Sequence, residues 1–198
     1  QTASFRSPPA SEMGSFDELL AVFYKHLHWF YAKQVEGIVS SFGRVPAVMP
    51  SPLLSLFIND CIDKGMDMYG GGARYHVIGP CFTALANTID SLWAIREMCF
   101  GDAPSATLAE LVQCLLTNWG KDLVDPLVHP TVLAGAAPTR SEDLKVRFEE
   151  LRQIALSLPR WGRGEREIDE FGNSLCREVS ATAMQCMRSP FPGLAAKF

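Results

Sequence analysis

The sequence is poor in charge, in closely spaced cysteines and in long apolar runs. Asp, Glu, Lys and Arg make up only 20% of the 198 residues, against a usual figure of about 25%. Eighteen basic residues face 22 acidic ones, for a net charge of −4. That balance argues against a nucleic-acid coat or a polybasic membrane tether. The longest uncharged runs, 45–59 and 75–89, are each 15 residues long and carry Pro, Gly, Asn, Thr or His. Neither is long enough to span a bilayer. The first residues, QTASFRSPPASEMG, show no signal-peptide core and no Arg-rich transit pattern, and they read as a cut into a longer chain. A cytoplasmic setting is the expectation.

Cys61, Cys81, Cys99, Cys114, Cys176 and Cys186 are too far apart to form a C-x-x-C pair. Structural zinc and cluster sites usually need such pairs, because one turn has to deliver two thiolates to one metal. No metal site is expected. Cys61, Cys99 and Cys114 fall among apolar residues at helical spacing, where a thiol packs as a small hydrophobe, so reduced structural cysteines are the expectation. The sequence also lacks G-x-S-x-G and H-E-x-x-H. Gly70-Gly71-Gly72 has neither the G-K-[ST] of a P-loop nor the spacing of a dinucleotide fingerprint.

What is present is apolar and periodic. The AVILMFWYC set makes up 47% of the chain, including four Trp, twelve Phe and four Tyr, enough to exclude disorder along the whole length. Ser15-Phe16-Asp17-Glu18 has the form of a capping box, and apolar residues then recur at three- and four-residue steps to Ile38. This predicts a long helix ending near Ser40 to Gly43. Ser51 and Pro52 predict a second helix, with Leu53, Leu54, Phe57, Cys61 and Ile62 inside and Gly65 as a left-handed stop. Arg74 to Ile78 reads as a buried strand ending in the Gly79-Pro80 turn. Leu85 to Phe100 marks a third helix, with the small residues Ala84, Ala86 and Ser91 suited to close packing. Thr107-Leu108-Ala109-Glu110 opens a fourth, through Trp119. After the proline-bearing stretch 120–140, helices are predicted over Ser141 to Leu158 and Glu165 to Met187.

Several polar groups invite a chemical reading. His26 and His28 stand two apart on a helix, where side chains point about 200° apart, so one ion cannot take both. Asp60, Asp63 and Asp67 read better as solvated charge than as a carboxylate cluster. His76 lies in the predicted strand just before the Gly79-Pro80 turn, where a strand end delivers side chains into a cavity, against the alternative of a hydrogen-bonded core histidine.

Residues 51–65, S-P-L-L-S-L-F-I-N-D-C-I-D-K-G, are followed by Gly71-Gly72-Ala73-Arg74-Tyr75-His76, Gly79-Pro80, Ala86-Asn87 and Asp90-Ser91-Leu92-Trp93-Ala94-Ile95. In order and spacing this series closely resembles the glycyl radical enzymes, in particular the dehydratase and lyase branch of the pyruvate formate-lyase superfamily. Phe148-Glu149-Glu150-Leu151-Arg152 and Pro159-Arg160-Trp161-Gly162 resemble the family's E-x-L-R and P-K-Y-G-N-D. Arg188-Ser189-Pro190-Phe191-Pro192-Gly193-Leu194 resembles a degraded R-G-G-x-F-x-P-G-L. The resemblance covers nearly the whole chain, with a loop insertion expected within 120–147.

The resemblance implies an α/β fold: part of a ten-stranded barrel, mostly helical in this segment. The implied reaction is radical cleavage of a C–O, C–N or C–C bond in a small polar substrate, or a formate acetyltransferase-like reaction. It also implies a glycyl radical installed by a separate S-adenosylmethionine iron-sulfur activase, and a homodimer when complete. The family's thiyl motif, G-C-V-E, and its radical-glycine motif, R-V-x-G-[YF], are both absent from this sequence. The chain therefore reads as an internal fragment with no catalytic residue and no bound cofactor of its own. His76, Gly79, Pro80, Cys81, Arg188 and Phe191 are the residues the resemblance assigns to the substrate pocket. Three departures support a rival reading, a non-catalytic remnant or interaction domain. His76 stands where Asn is usual, Arg163-Gly164 replaces Asn-Asp, and Ser189-Pro190 replaces Gly-Gly.

Overall fold

A computed structural model describes residues 5–41, 44–75, 82–123 and 141–188, and within them the chain is mostly helical, with no strand. The helices are α1 (Phe16–Ser41), α2 (Val45–Val48), α3 (Pro52–Ser55), α4 (Cys61–Lys64), α5 (Leu85–Ile95), α6 (Leu108–Leu116), α7 (Ser141–Ser157) and α8 (Arg166–Arg188). Short 3-10 turns cover Ala10–Glu12 and Met68–Gly70, and a π-helical turn, Arg96–Phe100, extends α5. The chain divides into two compact units. One combines the N-terminal residues through Tyr24 with Ala84–Arg177, and the other combines Lys25–Thr83 with the chain from Glu178.

In the first unit, local signals set the helix starts. Ser15 Oγ accepts the Glu18 N–H at 3.2 Å, and the Glu18 carboxylate reaches back to the Gly14 N–H at 2.8 Å, so the predicted capping box forms one residue wide of its usual target. At α6, Thr107 Oγ1 accepts the Glu110 N–H at 3.1 Å. The Glu110 carboxylate instead pairs with Arg147 Nε of α7 at 2.9 Å, and Arg147 Nη2 donates to the Ser105 carbonyl at 2.6 Å. The second box is therefore half closed, and its free carboxylate ties two helices together.

α6 stops at Leu116, three residues short of the predicted end, because Asn118, Trp119 and Gly120 all take positive φ values of 50°, 58° and 81°. Trp119 then returns its N–H to the Cys114 carbonyl at 2.8 Å. The core behind this turn joins Met98, Leu111, Cys114, Phe148 and Leu151. A second apolar contact links the aromatic rings of Phe16, Phe100, Trp93 and Phe171, with centroids 5.8–6.3 Å apart. The stretch expected as an insertion is described at its two ends, a turn over 117–122 and helix from Ser141.

In the second unit, the later part of α1 buries Leu27, Tyr31 and Val35, and the later part of α8 buries Val179, Ala183 and Cys186. Cys186 Sγ lies 3.8 Å from the His28 carbonyl. The predicted helix over Ser51 to Gly65 is not continuous: α3 and α4 are single turns separated by 56–60. Asn59 and Asp60 are weak helix formers, the Asn59 carbonyl accepts the Arg74 N–H at 3.1 Å, and Asp60 adopts φ 74°. Tertiary hydrogen bonds thus win over a short apolar periodicity. Gly65 does take the left-handed stop, φ 60°.

Arg74 and Tyr75 correct the strand prediction for the part that is described. They are irregular and exposed, because Arg74 is drawn back to Asn59 and Asp60 instead of pairing with another strand. Residues 76–78 lie outside the described residues.

Candidate functional site

The residues carrying the resemblance in the second unit form a polar lock. Asp67 is its centre, taking the Ser51 N–H on Oδ2 at 2.7 Å and the Tyr69 N–H on Oδ1 at 2.8 Å. These backbone donors, Tyr69 first, hold its carboxyl below the usual value of 3.8. Ser55, the buried polar side chain of this lock, donates its hydroxyl to the Ser51 carbonyl at 2.7 Å and accepts the Met68 N–H at 3.0 Å. One serine and one aspartate therefore fasten both ends of the 51–68 segment.

A second pair closes the same loop. The Arg74 guanidinium meets the Asp60 carboxylate through Nε at 3.0 Å and Nη2 at 2.6 Å, a two-pronged contact that also lowers the Asp60 pKa. Lys64 Nζ donates to the Gly72 carbonyl at 3.1 Å. Gly72 has no room for a side chain, since a Cβ there would run into the carbonyl oxygens of Met66 and Asp67. Asp60 and Asp67, two of the three carboxylates read from sequence as solvated charge, are thus structural clamps, while Asp63 is exposed. The clue was the Ser-x-x-x-Ser spacing before them, which puts a hydroxyl one helical turn from the Ser51 carbonyl.

In the first unit, Asp90 of the D-S-L-W-A-I run accepts the Trp161 N–H at 2.9 Å and lies 3.7 Å from Arg160 Nη1. Two segments 71 positions apart, both part of the resemblance, therefore meet at one carboxylate. Gly162 N–H donates to Asp169 Oδ1 at 2.7 Å. A Cβ at Gly172 would overlap the Trp161 ring, so the glycine admits the indole. Beside Asp90 opens a cleft of about 230 Å³ whose wall includes Ile95, Leu115, Trp119, Arg152 and Arg160. Ala84, Ala86 and Ser91 are exposed.

The predicted pocket residues fall elsewhere. His76, Gly79, Pro80, Cys81 and Phe191 lie outside the described residues, and Arg188 is the last residue of α8, with its side chain outside them too. The lock over 51–75 leads directly into position 76.

Among the described residues, Cys61, Cys99, Cys114, Cys176 and Cys186 are free, and none is exposed. Burial pushes the Cys99 thiol up to about 11 and the Cys114 thiol up to about 12, and it raises Cys186 as well. The helical spacing of Cys61, Cys99 and Cys114 predicts packing thiols, and Cys61 and Cys114 are buried with Cys99 partly so. No group of His, Cys, Asp or Glu able to hold a metal ion occurs among the described residues. No helix among them is long and apolar enough to cross a membrane.

Two curated proteins similar to this chain are dehydratases. The chain is 33% identical over 105 residues to trans-4-hydroxy-L-proline dehydratase of Clostridioides difficile, covering 53% of this chain and 13% of that protein. It is 30% identical over 105 residues to (2S)-3-sulfopropanediol dehydratase of Klebsiella oxytoca, with the same shares covered. A solved structure described by 1,2-propanediol dehydration in Roseburia inulinivorans superposes with a TM-score of 0.72 at 27% identity, over 96% of this chain and 21% of that one. The chain thus spans about an eighth of the curated relatives and a fifth of the solved one. The family model for pyruvate formate lyase-like proteins matches residues 2–190. With nearly every position inside that match, the chain belongs to the pyruvate formate lyase-like family.

Proposed function

We propose that this chain is a wall segment of a glycyl radical dehydratase, acting within a complete α/β barrel on a small hydroxylated substrate. The observation that carries the reading is the agreement among the three relatives, each named for dehydration of a small polar molecule. Radical elimination of water needs a closed, dry pocket, because an exposed carbon radical is quenched. A glycyl radical, installed by an S-adenosylmethionine iron-sulfur activase, would supply hydrogen abstraction from elsewhere in the barrel.

The work of this chain is positional. The Asp67 and Asp60 clamps fix the path of 51–75 and so set where position 76 begins. His76, Gly79, Pro80 and Cys81 then face the pocket, where an imidazole offers a donor or acceptor that changes charge near neutral pH. Arg188 pairs with an anionic part of the substrate and Phe191 excludes water. A homodimer, a cytoplasmic location and cleavage of C–N or C–C bonds by the same route belong to this reading as finer expectations.

Expression of the whole gene product with its activase, without oxygen, tests the proposal by loss of a diol or hydroxyproline substrate. His76→Asn should shift turnover or substrate preference with little change in melting temperature. Phe191→Ala should reduce turnover more than about tenfold with stability kept, since it removes pocket wall and not core. Unchanged turnover in both variants would remove these residues from the pocket. The remnant reading draws on His76, Arg163-Gly164 and Ser189-Pro190. Arg163 and Gly164 sit in an exposed turn that is anchored by Trp161 to Asp90 and Gly162 to Asp169, so that departure weighs little.

A further inference from the structure

Two irregularities of the backbone border the cleft beside Asp90. α5 gives way to the π-helical turn at Arg96–Phe100, which brings Met98 to the cleft. After α6, Asn118 and Trp119 take left-handed φ values of 50° and 58°, and Trp119 lines the same cleft. Both features are uncommon in non-glycine chain, and both gather at functional sites. Here they meet at one opening.

The opening exists because the residues facing it are small. Ser91 and Ala94 of α5 and Ala155 of α7 stand where leucines would fill the space. Its floor is apolar, with Met98 2% and Leu111 3% exposed, while Leu115 and Leu156 at its edge are half exposed. An occupant would cover those leucines and gain by it. The volume of about 230 Å³ lies below the roughly 300–1,000 Å³ of pockets for drug-sized molecules, so the occupant is small.

Charge decides what kind of molecule fits. Arg152, Arg160 and Asp90 line the cleft, which leaves one positive charge in excess. Arg160 Nη1 lies 3.7 Å from Asp90, and its Nη2 donates to the Ala155 carbonyl at 3.3 Å. Arg152 Nη1 meets Glu149 at 3.1 Å in a partly exposed pair, a kind that holds weakly in water. A guanidinium has five N–H donors, more than these contacts use, and its planar fork matches a carboxylate.

We propose that this cleft binds a small aromatic carboxylate, with the ring against Trp119 and Leu115 and the carboxylate on Arg152 and Arg160. The proposal needs no radical and uses none of the residues assigned above to the dehydratase substrate, so it stands or falls apart from that reading. The probe is phenylacetate carrying a photoreactive diazirine on its ring, irradiated with the whole gene product and mapped by mass spectrometry. Label is expected within 90–98, 111–119 or 152–160, and excess phenylacetate should displace it where phenylacetamide, its uncharged counterpart, does not. Ala94→Leu should fill the cleft and abolish labelling there with the melting temperature kept. Arg152→Gln keeps the length of a partly exposed side chain and removes its charge, so it should fold as the natural chain does and lower labelling about tenfold. It decides the matter alone if Ala94→Leu does not fold. Label only outside these stretches, no label, equal displacement by phenylacetamide, or full labelling of Arg152→Gln would overturn the proposal.

Discussion

Ser55 and Asp67 hold the 51–68 segment together through side-chain hydrogen bonds. Removing the Ser55 hydroxyl leaves the Met68 N–H without its partner inside a closed loop. Ser55→Ala should therefore cost about 1–3 kcal/mol, read from denaturant unfolding. Gly72→Ala drives a methyl into two backbone oxygens, and neither is the end of a flexible side chain. We expect a loss of at least about 2 kcal/mol or an insoluble product, while Gly37→Ala, with open space around it, should be neutral or slightly stabilising. The carboxyls add a dependence on pH. Asp60 and Asp67 both titrate below 3.8 in the folded chain, so the stability they add is complete above that value and is lost as pH falls through their lowered values. Amide signals of Ser51 and Tyr69, followed by nuclear magnetic resonance, should hold steady from pH 7 to about 5 and move only in more acid solution. Movement at pH 6 would point to a histidine instead.

At the scale of elements, sequence periodicity succeeds for helices of nine residues or more and fails at the single turns of 51–65. α1, α7 and α8 run for 26, 17 and 23 residues, and over such lengths a 3.6-residue pattern is hard to mistake. The Ser15 and Thr107 caps also mark their starts correctly. Over 51–65 the same pattern misleads, because five apolar residues fit a helix face or an outward-facing loop equally well. The choice was made by Arg74, Asp67 and Met68, all outside the segment. The half-closed box at Thr107 follows the same rule, since nothing local reveals that Glu110 will turn to Arg147. Arg147→Ala should loosen α7 from α6 at a cost of about 1–2 kcal/mol, because it frees a partly exposed carboxylate and the Ser105 carbonyl. Ser15→Ala should cost about 1 kcal/mol by losing a cap alone. Thermal unfolding of the two variants would rank them, and a larger loss at Ser15 would contradict the tie between helices.

For the whole molecule, the resemblance gave the family and a mostly helical segment, but not the role of its motif residues. Ser51 to Gly65 read as a helix and Asp60 and Asp67 as solvated charge, yet Ser55, Asp60 and Asp67 prove to clamp the 51–75 segment. Asp90 and Trp161 show nothing in sequence to join them across 71 positions. Gly79, Pro80, Cys81, Arg188 and Phe191 come from the resemblance, and His76 from its place before the Gly79-Pro80 turn as well. The thiols give a check on the division of labour. With Cys99 and Cys114 pushed up to about 11 and 12, thiol reagents at pH 8 should modify them far more slowly than an ordinary exposed thiol, and fast labelling would contradict their packing role. The central claim is that this chain shapes a radical enzyme without carrying the radical. Electron paramagnetic resonance after anaerobic activation tests it most directly, on the 198-residue chain and on the whole gene product side by side. A glycyl signal from the whole product and none from the chain is the predicted result; a signal from the chain alone, or none from either, would contradict it.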